Sequence, residues 1–511
     1  MAFNRRELLR WMGGACSALA LSKFTRGQAA GANFLPTRES LQGYQIPEWF
    51  RDAKFGIWSH WGPQSAVEQG DWYARNMYMQ GSDQYRYHVE TYGHPSKVGY
   101  KDLVDNWKAA KWDPDHLMSL YKKAGAKYFF SMGVHHDNFD LWDSKYTRWN
   151  AVNMGPKKDV VGMWAKAARN HGLRFGVSEH LWISYKWFSV SHGADKTGSM
   201  AGVSYDGVDP KNADLYHDAG CAQFIDSLKW GDDGIPDSYR KHYLDRMTDL
   251  IDKYHPDLLY TDGHLPFEEY GLKMVAHLYN VSAQLHGGAT QAIYTSKQAS
   301  DCVVGTCLLD HERGVSDAIA ANPWQTDTCI GQWHYKRGQK YKTAKQVVDL
   351  LTDIVSKNGN LLLNFPLPNS GELDFAELET LDGITQWMAI NSEGIYSTRP
   401  WKLYGEGPST KVEIKDVRFN EDKRGGFTAE DVRFTTKGGT LYAFVMGWPE
   451  KEAVVNALGL ASPQQPGKIG KVEMLGYKGT LDWKQDDASL RVQMPAEKIS
   501  DVGITLKVQL A

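Results

Sequence analysis

The 511-residue sequence has little cysteine and no excess of either charge. Its cysteines form no C-x-x-C pair, so no zinc site is indicated, and a chain of this length does not require a disulfide framework. We expect Cys221, Cys302, Cys307 and Cys329 to be buried thiols, among which one bridge can form. Because 58 basic and 61 acidic residues nearly cancel, no chain-wide field attracts phosphate backbones. We therefore expect no nucleic-acid partner.

Long apolar runs are also missing from most of the chain. After residue 30 no run approaches the roughly 18 apolar residues that a membrane-spanning helix needs, so we predict no membrane span. The first thirty residues carry Arg5-Arg6, then a weakly apolar stretch from Trp11 to Leu21, then small residues. This order is typical of a twin-arginine export signal, and the alternative is a disordered basic N-terminus. We predict that residues 1–30 are a signal peptide and that the protein is periplasmic or secreted.

Between Ile46 and Pro400 the chain alternates short apolar strands with amphipathic helices, the pattern of parallel β/α units. No glycine-rich phosphate fingerprint follows the first strand, which argues against an open dinucleotide-binding sheet. We predict a (β/α)8 barrel over residues 46–400. Its strands are predicted at residues 54–59, 127–132, 173–178, 257–261, 291–295, 303–309, 327–331 and 360–364.

Beyond Trp401 the apolar period changes to two, which is typical of strands with one face in a core. Turn sequences such as Lys437-Gly438-Gly439 separate segments that begin at Lys411, Asp431, Thr440, Gly470, Ser489 and Gly503. This predicts an antiparallel β-sandwich over residues 405–511. Structural support of the barrel is its favoured role, and carbohydrate binding is the alternative.

Polar side chains follow the ends of five predicted strands: His60, His135-His136, Glu179-His180, Asp262 and Glu312. The carboxyl ends of barrel strands meet at one mouth, so we expect these side chains to line one pocket. Tryptophans lie near them in the sequence, including Trp72, Trp324 and Trp333. This mixture is typical of a pyranose site, because imidazoles and carboxylates bind hydroxyls while aromatic rings cover the apolar sugar faces.

Cleavage of a glycosidic bond needs one ionised carboxylate and one carboxyl group that holds a proton. Asp262 ends an apolar strand that leaves its side chain desolvated on one side and open on the other, so we interpret it as the nucleophile. Glu312, just past a later strand, is the candidate acid/base. The alternatives for the acid are Glu179, Glu268 and Glu269, and the non-catalytic interpretation of Glu312 is an ion pair with an arginine.

Adjacent histidines at a strand end also occur in metal-dependent barrel hydrolases, so His135 and His136 are alternative metal ligands. The sequence has no H-E-x-x-H motif and no second cluster of histidine and aspartate at ligand spacing. We therefore predict no metal ion and no other cofactor.

Six ordered segments resemble the α-L-fucosidases of glycoside hydrolase family 29. They are WFRDAKFGIWSHWG (49–62), VHHDNFDLW (134–142), GLRFG (172–176), PDLLYTDG (256–263), SKNGNLLLN (356–364) and GIYSTRPW (394–401). The resemblance implies an irregular (β/α)8 barrel followed by a β-sandwich, and a metal-free retaining mechanism. It further implies release of terminal α-L-fucose from a fucosylated oligosaccharide or glycoconjugate. The alternatives are a catalytically weak fucose-binding protein and an α-L-galactosidase-like enzyme on the same scaffold.

The resemblance also implies roles for individual residues. Asp262 matches the family's nucleophile, and Glu312 matches its acid/base by order and context. Fucose hydroxyls are expected to bind His60, His135 and His136, and Trp72 matches a pocket tryptophan. With the strand-end residues, this gives a predicted substrate-binding set of His60, Asp71, Trp72, His135, His136, Glu179, Trp324 and Trp333.

The sequence departs from the family pattern at three places. Asp71 stands where the family has a glutamate, so its contact to the sugar is expected to be longer or mediated by water. After the third strand the chain has Ser178-Glu179-His180, where many members have tyrosines. Gln325 lies near the position where some members place a glutamate, and an amide cannot protonate a leaving group.

Overall fold

The computed structural model describes residues 33–303, 305–412, 416–423 and 425–511. The signal peptide predicted over residues 1–30 lies outside these ranges, as does most of the segment predicted to begin at Lys411. No helix within these ranges is long and apolar enough to cross a membrane. A disulfide bridge joins Cys302 to Cys307, whereas Cys221 and Cys329 are free and buried.

Eight parallel strands close into a barrel in chain order, with β1 hydrogen-bonded to both β2 and β8. The strands are β1 Phe55–Ser59, β2 Tyr128–Val134, β3 Arg174–Glu179, β4 Leu258–Thr261, β5 Ile293–Ser296, β6 Leu308–Asp310, β7 Trp324–Cys329 and β8 Gly359–Asn364. All but a few of their side chains are buried, because the barrel interior covers one face and the helices cover the other. The predicted (β/α)8 barrel is confirmed.

Strands β6 and β7 differ from their predicted positions at residues 303–309 and 327–331. Strand β7 begins earlier, at Trp324, and has the polar sequence WQTDTC. Inside the barrel, the Gln325 amide donates to Asp310 Oδ1 at 2.9 Å, and Asp327 Oδ2 accepts from the Tyr260 hydroxyl at 2.9 Å. Hydrogen bonds between strands thus replace apolar packing, and a search for apolar runs misses such a strand.

Helices surround the barrel, and several of them begin at a side chain that caps a free N–H group, such as Ser82, Asp113 and Asp159. The helix Ala344–Ser356 begins with a capping box, since the Thr343 hydroxyl accepts from the Gln346 N–H and the Gln346 side chain accepts from the Thr343 N–H. The α-helices are Arg38–Leu41, Glu48–Ala53, Tyr73–Asn76, Asp83–Tyr92, Tyr100–Leu103, Pro114–Lys123, Val160–Asn170, Ser184–Trp187, Ala213–Tyr216, Asp237–Tyr254, Glu269–Leu285, Ala344–Ser356 and Phe375–Asn391.

The C-terminal region forms two antiparallel sheets around a core of its own, which confirms the predicted β-sandwich architecture. In one sheet the strand order is β13-β16-β11-β10-β9, and in the other it is β12-β15-β14. The strands are β9 Arg399–Glu406, β10 Val432–Lys437, β11 Thr440–Val445, β12 Glu452–Val455, β13 Ile469–Met474, β14 Trp483–Gln485, β15 Leu490–Gln493 and β16 Ile504–Leu510.

Three of these strands, β9, β12 and β14, are absent from the prediction. Strand β9 is mostly half-buried and contains Pro400, which an edge strand tolerates because one side of it needs no ladder hydrogen bonds. The sandwich is fixed to the barrel by a buried ion pair in which Arg433 Nε donates to Asp353 Oδ1 at 2.5 Å. Asp353 lies on the helix Ala344–Ser356, and a further buried contact is made by the Trp387 indole N–H, which donates to the Gly503 carbonyl oxygen at 3.1 Å.

A second buried ion pair anchors the loop after β2, which carries His135 and His136. Arg246, on the helix Asp237–Tyr254, donates to Asp140 with both Nε and Nη2, and to the side-chain oxygen of Asn138 at 2.6 Å. These side chains are almost fully buried. The guanidinium therefore neutralises a carboxylate that has no access to water.

Replacing Arg246 by methionine is expected to lower the free energy of unfolding by about 3–5 kcal/mol, because Asp140 is left as a buried charge without its partner. The measurement is the urea unfolding midpoint. The matched control is Arg86→Met, since Arg86 pairs with Asp83 at the exposed surface and its loss should leave the midpoint unchanged. Equal midpoints for the two variants would show that the Arg246 pair adds no stability.

Candidate active site

A cavity of about 540 Å³ opens at the carboxyl ends of the barrel strands. This volume lies within the range of about 300–1,000 Å³ that is usual for small-molecule sites. The lining residues come from the barrel loops and from one segment of the C-terminal region. They are Trp58, His60, Asp71, Trp72, His135, His180, Trp182, Trp230, Asp262, Gly263, His264, Lys297, Gln298, Glu312, Asp327, Trp333, Arg418 and Phe419.

Asp262 directly follows β4 and presents its carboxylate to the cavity with the side chain about 20% exposed. Its Oδ1 accepts from Lys297 Nζ at 2.5 Å, and its Oδ2 lies 3.0 Å from His180 Nδ1 and 3.4 Å from His136 Nε2. Burial alone would raise the pKa of this carboxyl, but the Lys297 charge and the two imidazoles hold the pKa well below its usual value. Asp262 is therefore ionised and fixed in position.

Glu312, on the loop after β6, shares the same ammonium group. Its Oε2 accepts from Lys297 Nζ at 2.6 Å. Burial raises the pKa of Glu312 to about 7, and the nearby Asp327 and Asp262 carboxylates add to this effect while Lys297 opposes it. The neighbouring Arg313 binds Glu421 instead of Glu312. Hence the two carboxyl groups differ widely in proton affinity, as acid and nucleophile must.

The distances to Lys297 also limit the separation of the two carboxyl groups. Both hydrogen bonds end on the same Nζ, at 2.5 Å from Asp262 Oδ1 and 2.6 Å from Glu312 Oε2. The two oxygen atoms therefore lie at most 5.1 Å apart, the sum of these distances.

A cluster of imidazoles lies at the inner end of the cavity. The ring of His60 lies 5.0 Å from that of His135 and 4.4 Å from that of His334. Asp71 Oδ1 accepts from His334 Nδ1 at 2.6 Å and lies 4.0 Å from His135 Nε2. Two buried nitrogen atoms, His60 Nδ1 and His334 Nε2, have no hydrogen-bond partner among the described residues. Such atoms need a polar ligand, since burial without a partner is costly.

The same side chains are close enough together to hold a metal ion. Ligand atoms of His60, Asp71, His135 and His334 lie within 4.8 Å of one another, as do those of His135, His136 and His180. Histidine and carboxylate are ordinary ligands of zinc, but they bind sugar hydroxyls equally well. The predicted absence of a metal ion stays a prediction.

Most of the predicted site residues meet at this cavity. The predicted residues that line it are Asp262, Glu312, His60, Asp71, Trp72, His135 and Trp333. His136 does not line the cavity but contacts the Asp262 carboxylate. His136 is held there by its Nδ1, which donates to the carbonyl oxygen of His180 at 2.6 Å. The strand-end pattern therefore predicts which of these residues meet at one cavity.

Besides His136, two predicted substrate-binding residues, Glu179 and Trp324, do not line the cavity. Glu179 is fully buried, and its carboxylate accepts from the Thr261 hydroxyl at 2.6 Å, the Tyr243 hydroxyl at 2.9 Å and the Leu181 N–H. It supports the ends of β3 and β4. Trp324 is buried in β7 and donates through Nε1 to the carbonyl oxygen of Lys357, away from the cavity.

Glu268 and Glu269, also candidates for the acid, lie outside the cavity. Glu268 is paired with Arg38 and Glu269 with Lys273, both at the surface. Gln325 is fully buried within the barrel, where its amide binds Asp310. Of the four candidate acids, only Glu312 shares the cavity with Asp262.

Sequence reasoning missed several lining residues. Lys297 directly follows β5, so the strand-end rule could have found it, but the search was for carboxylates and imidazoles. His180 was expected at the barrel mouth with the other strand-end residues, but the predicted substrate-binding set contains its neighbour Glu179 instead, although only the histidine lines the cavity. Trp230 and Phe419 follow no barrel strand, and no pattern in the sequence marks them.

Comparison with known proteins agrees with this geometry. The sequence model described as "Alpha-L-fucosidase" matches residues 21–393, and that of the "Alpha-L-fucosidase C-terminal domain" matches residues 426–509. The chain belongs to the α-L-fucosidases of glycoside hydrolase family 29. As a member of this family, it is a glycoside hydrolase of the α-L-fucosidase class, EC 3.2.1.51.

Characterised α-L-fucosidases resemble the chain over nearly its full length. Tissue alpha-L-fucosidase of Rattus norvegicus is 27% identical over 473 residues, which cover 90% of this chain and 88% of the relative. The Homo sapiens enzyme is 25% identical over 475 residues, with the same coverage. The crystal structure of Thermotoga maritima alpha-fucosidase matches with a TM-score of 0.70 and 26% identity, covering 93% of this chain and 100% of that one. Its complex with fucose has a TM-score of 0.69, 26% identity and coverages of 93% and 99%.

Proposed function

We propose that this α-L-fucosidase is a retaining exo-enzyme that releases terminal α-L-fucose from fucosylated oligosaccharides or glycoconjugates, through a covalent intermediate on Asp262. One observation carries the proposal: Lys297 holds the Asp262 and Glu312 oxygen atoms at most 5.1 Å apart. Retaining glycosidases separate their carboxyl groups by about 5–5.5 Å, whereas inverting enzymes need about 6.5–9.5 Å to admit a water molecule.

In the first step, a carboxylate oxygen of Asp262 forms a bond to the anomeric carbon while the bond from that carbon to the leaving oxygen breaks. Glu312 gives its proton to the leaving oxygen, which departs as an alcohol. In the second step, Glu312 takes a proton from water while the water oxygen bonds to the anomeric carbon, and the bond between that carbon and the Asp262 oxygen breaks. Both protonation states follow from the pKa directions at the two carboxyl groups.

The inner end of the cavity supports binding of the fucose ring. Burial lowers the pKa of the His60 and His135 imidazoles, and repulsion from neighbouring histidines lowers it further. Neutral imidazoles can both donate to and accept from sugar hydroxyls. Trp58 and Trp333 place rings beside them, 5.5 Å apart between centroids, for the apolar side of the sugar. The shorter Asp71 is held in place by His334, whose Nδ1 donates to Asp71 Oδ1 at 2.6 Å.

The proposal is tested by hydrolysis of an aryl α-L-fucoside followed by proton NMR. We expect α-L-fucose to appear first and the β-anomer only later, through mutarotation. Initial appearance of β-L-fucose would contradict retention. Fucose binding without hydrolysis would indicate a binding protein, and preferential cleavage of an α-L-galactoside would indicate an α-L-galactosidase-like enzyme.

Export to the periplasm or the medium is part of the proposal and is tested by locating the activity in cell fractions.

Lys297→Met is expected to shift the pH profile of kcat/KM. The ammonium group lowers the pKa of both carboxyl groups, so its removal raises both. Glu312 must be protonated to act as an acid, so the alkaline limb, near pH 7 in the wild type, should move up by about one unit or more. Asp262 must be ionised, so activity at low pH should fall. Lys297→Arg keeps the charge and should retain both limbs, and an unchanged profile in the methionine variant would contradict this role.

A further inference from the structure

A segment of the C-terminal region, residues 416–423, returns from the sandwich to the barrel mouth. It lies in the connection between β9 and β10 and contacts the loop that carries Glu312. The Phe419 N–H donates to the Glu312 carbonyl oxygen at 2.9 Å, and the Asn420 N–H donates to the Arg313 carbonyl oxygen at 3.0 Å. The Asn420 side chain is buried and accepts from the Val315 N–H at 3.0 Å. The segment is thus fixed by main-chain bonds to the acid/base residue itself.

This segment brings two side chains to the cavity, Arg418 and Phe419. Phe419 is 55% exposed and has a φ of +50°, in the left-handed region that bulky residues rarely adopt. Neither feature contributes to stability, because the ring buries little apolar surface and the backbone conformation is strained. Strained residues that the surrounding hydrogen bonds hold in place concentrate at ligand sites.

A second exposed ring, Trp230, lines the same cavity and is 57% exposed. It belongs to the long connection between β3 and the helix Asp237–Tyr254, and its ring lies 5.9 Å from that of Trp182 and 6.2 Å from that of Trp72. This connection is bound to the loop after β4. Its Asp232 accepts from two residues of that loop, from His264 Nε2 at 2.9 Å and from the Phe267 N–H at 2.8 Å. The exposed ring is therefore held in place.

The cavity consequently has two chemically different ends. Its inner end carries buried imidazoles and carboxylates, and its outer end carries exposed rings and the Arg418 guanidinium. Under the proposed function, fucose occupies the inner end and Glu312 faces the leaving oxygen. The group attached to that oxygen must then leave past Glu312, where the segment 416–423 lies.

We propose that Phe419, Trp230 and Arg418 form a leaving-group subsite that binds the sugar ring to which fucose is attached. Aromatic rings cover the C–H faces of a pyranose, and a guanidinium donates hydrogen bonds to its hydroxyls. The preferred substrates are then fucosylated oligosaccharides, and not fucosides with small aglycones. This inference rests on the proposed function and adds the residues that bind the leaving-group sugar.

The test compares two kinds of substrate in Phe419→Ala. Fucosyl fluoride has no leaving-group ring, whereas a panel of fucosyl oligosaccharides that differ in linkage presents one. We expect kcat/KM for the best oligosaccharide to fall by about tenfold, the effect of losing one ring contact. Fucosyl fluoride should be hydrolysed within about twofold of the wild-type rate. Trp230→Ala and Arg418→Gln should show the same selective loss.

The controls separate ring contact from folding. Phe419→Tyr keeps the ring and should restore oligosaccharide hydrolysis. Phe375→Ala removes a phenylalanine that is 83% exposed outside the cavity and should change neither rate. Equal losses on both substrates in Phe419→Ala, no loss on either, or a wild type that cleaves fucosyl fluoride but no oligosaccharide would overturn the subsite. A wild type that cleaves neither substrate would overturn the proposed function and the inference with it.

Discussion

Asp262→Gly is expected to lower kcat/KM for aryl α-L-fucosides by at least about 10⁴-fold, the scale of losing a covalent nucleophile. The carboxylate is the only anionic group that His180, His136 and Lys297 jointly hold at the cavity wall within the described residues. Glycine leaves space at the anomeric carbon but supplies no attacking atom. The measurement is the initial rate of phenol release, at equal protein concentration and with folding checked by circular dichroism.

Azide provides the control for this variant. A small anion can enter the space that the Asp262 side chain leaves and attack the same face of the sugar. We expect azide to restore phenol release and to give fucosyl azide of the β configuration. A loss below about 100-fold, or an azide product of the α configuration, would show that another residue is the nucleophile. Peptide mass spectrometry of the wild type after a mechanism-based inhibitor should independently locate the adduct on Asp262.

Glu312→Ala should slow hydrolysis by about 10²–10⁴-fold for fucosyl oligosaccharides, whose alkoxide leaving groups need a proton. Fucosides of acidic phenols should lose much less, because these leaving groups depart without protonation. The measurement is kcat/KM across a series of leaving groups of increasing pKa. Equal losses across the series would reassign the acid/base role. Glu269→Ala is the matched control, since Glu269 is an exposed acid paired with Lys273 and its loss should leave every rate unchanged.

The pH profile gives a second readout for Glu312. Burial raises its pKa to about 7, so the wild type should lose activity as the pH rises through 7 and the proton leaves. The pKa of Asp262 lies well below its usual value, so protonation of Asp262 limits activity only at low pH. With an activated substrate, Glu312→Ala should lack the alkaline limb. A limb that persists near pH 7 in this variant would belong to another group.

The barrel could be predicted because its strands carry apolar runs bounded by turns and its helices carry a 3.6-residue period. Strand β7 shows where this reasoning stops, since Gln325 and Asp327 form hydrogen bonds inside the barrel that apolar periodicity does not record. The prediction misses strand β9 for a related reason, since its half-buried residues and Pro400 lack the alternation of buried and exposed residues that marks an inner strand.

The site was partly predictable for a geometric reason. A barrel brings its strand ends together whatever their sequence separation, so His60, His135 and Asp262 could be assigned to one pocket. Within a strand end, however, the choice between Glu179 and His180 depends on which way each side chain turns. Residues such as Phe419 reach the cavity through tertiary docking alone, which local sequence patterns do not encode.

The docked segment 416–423 has a consequence for how this enzyme can be modified. The carbonyl oxygen of Glu312, the proposed acid, accepts a hydrogen bond from the N–H of Phe419, which follows β9 and precedes β10 in the chain. Chimaeras that exchange this sheet for that of another glycosidase would therefore rebuild the entrance to the reaction centre as well. The two regions are structurally distinct, but they are not modular units that can be shuffled independently.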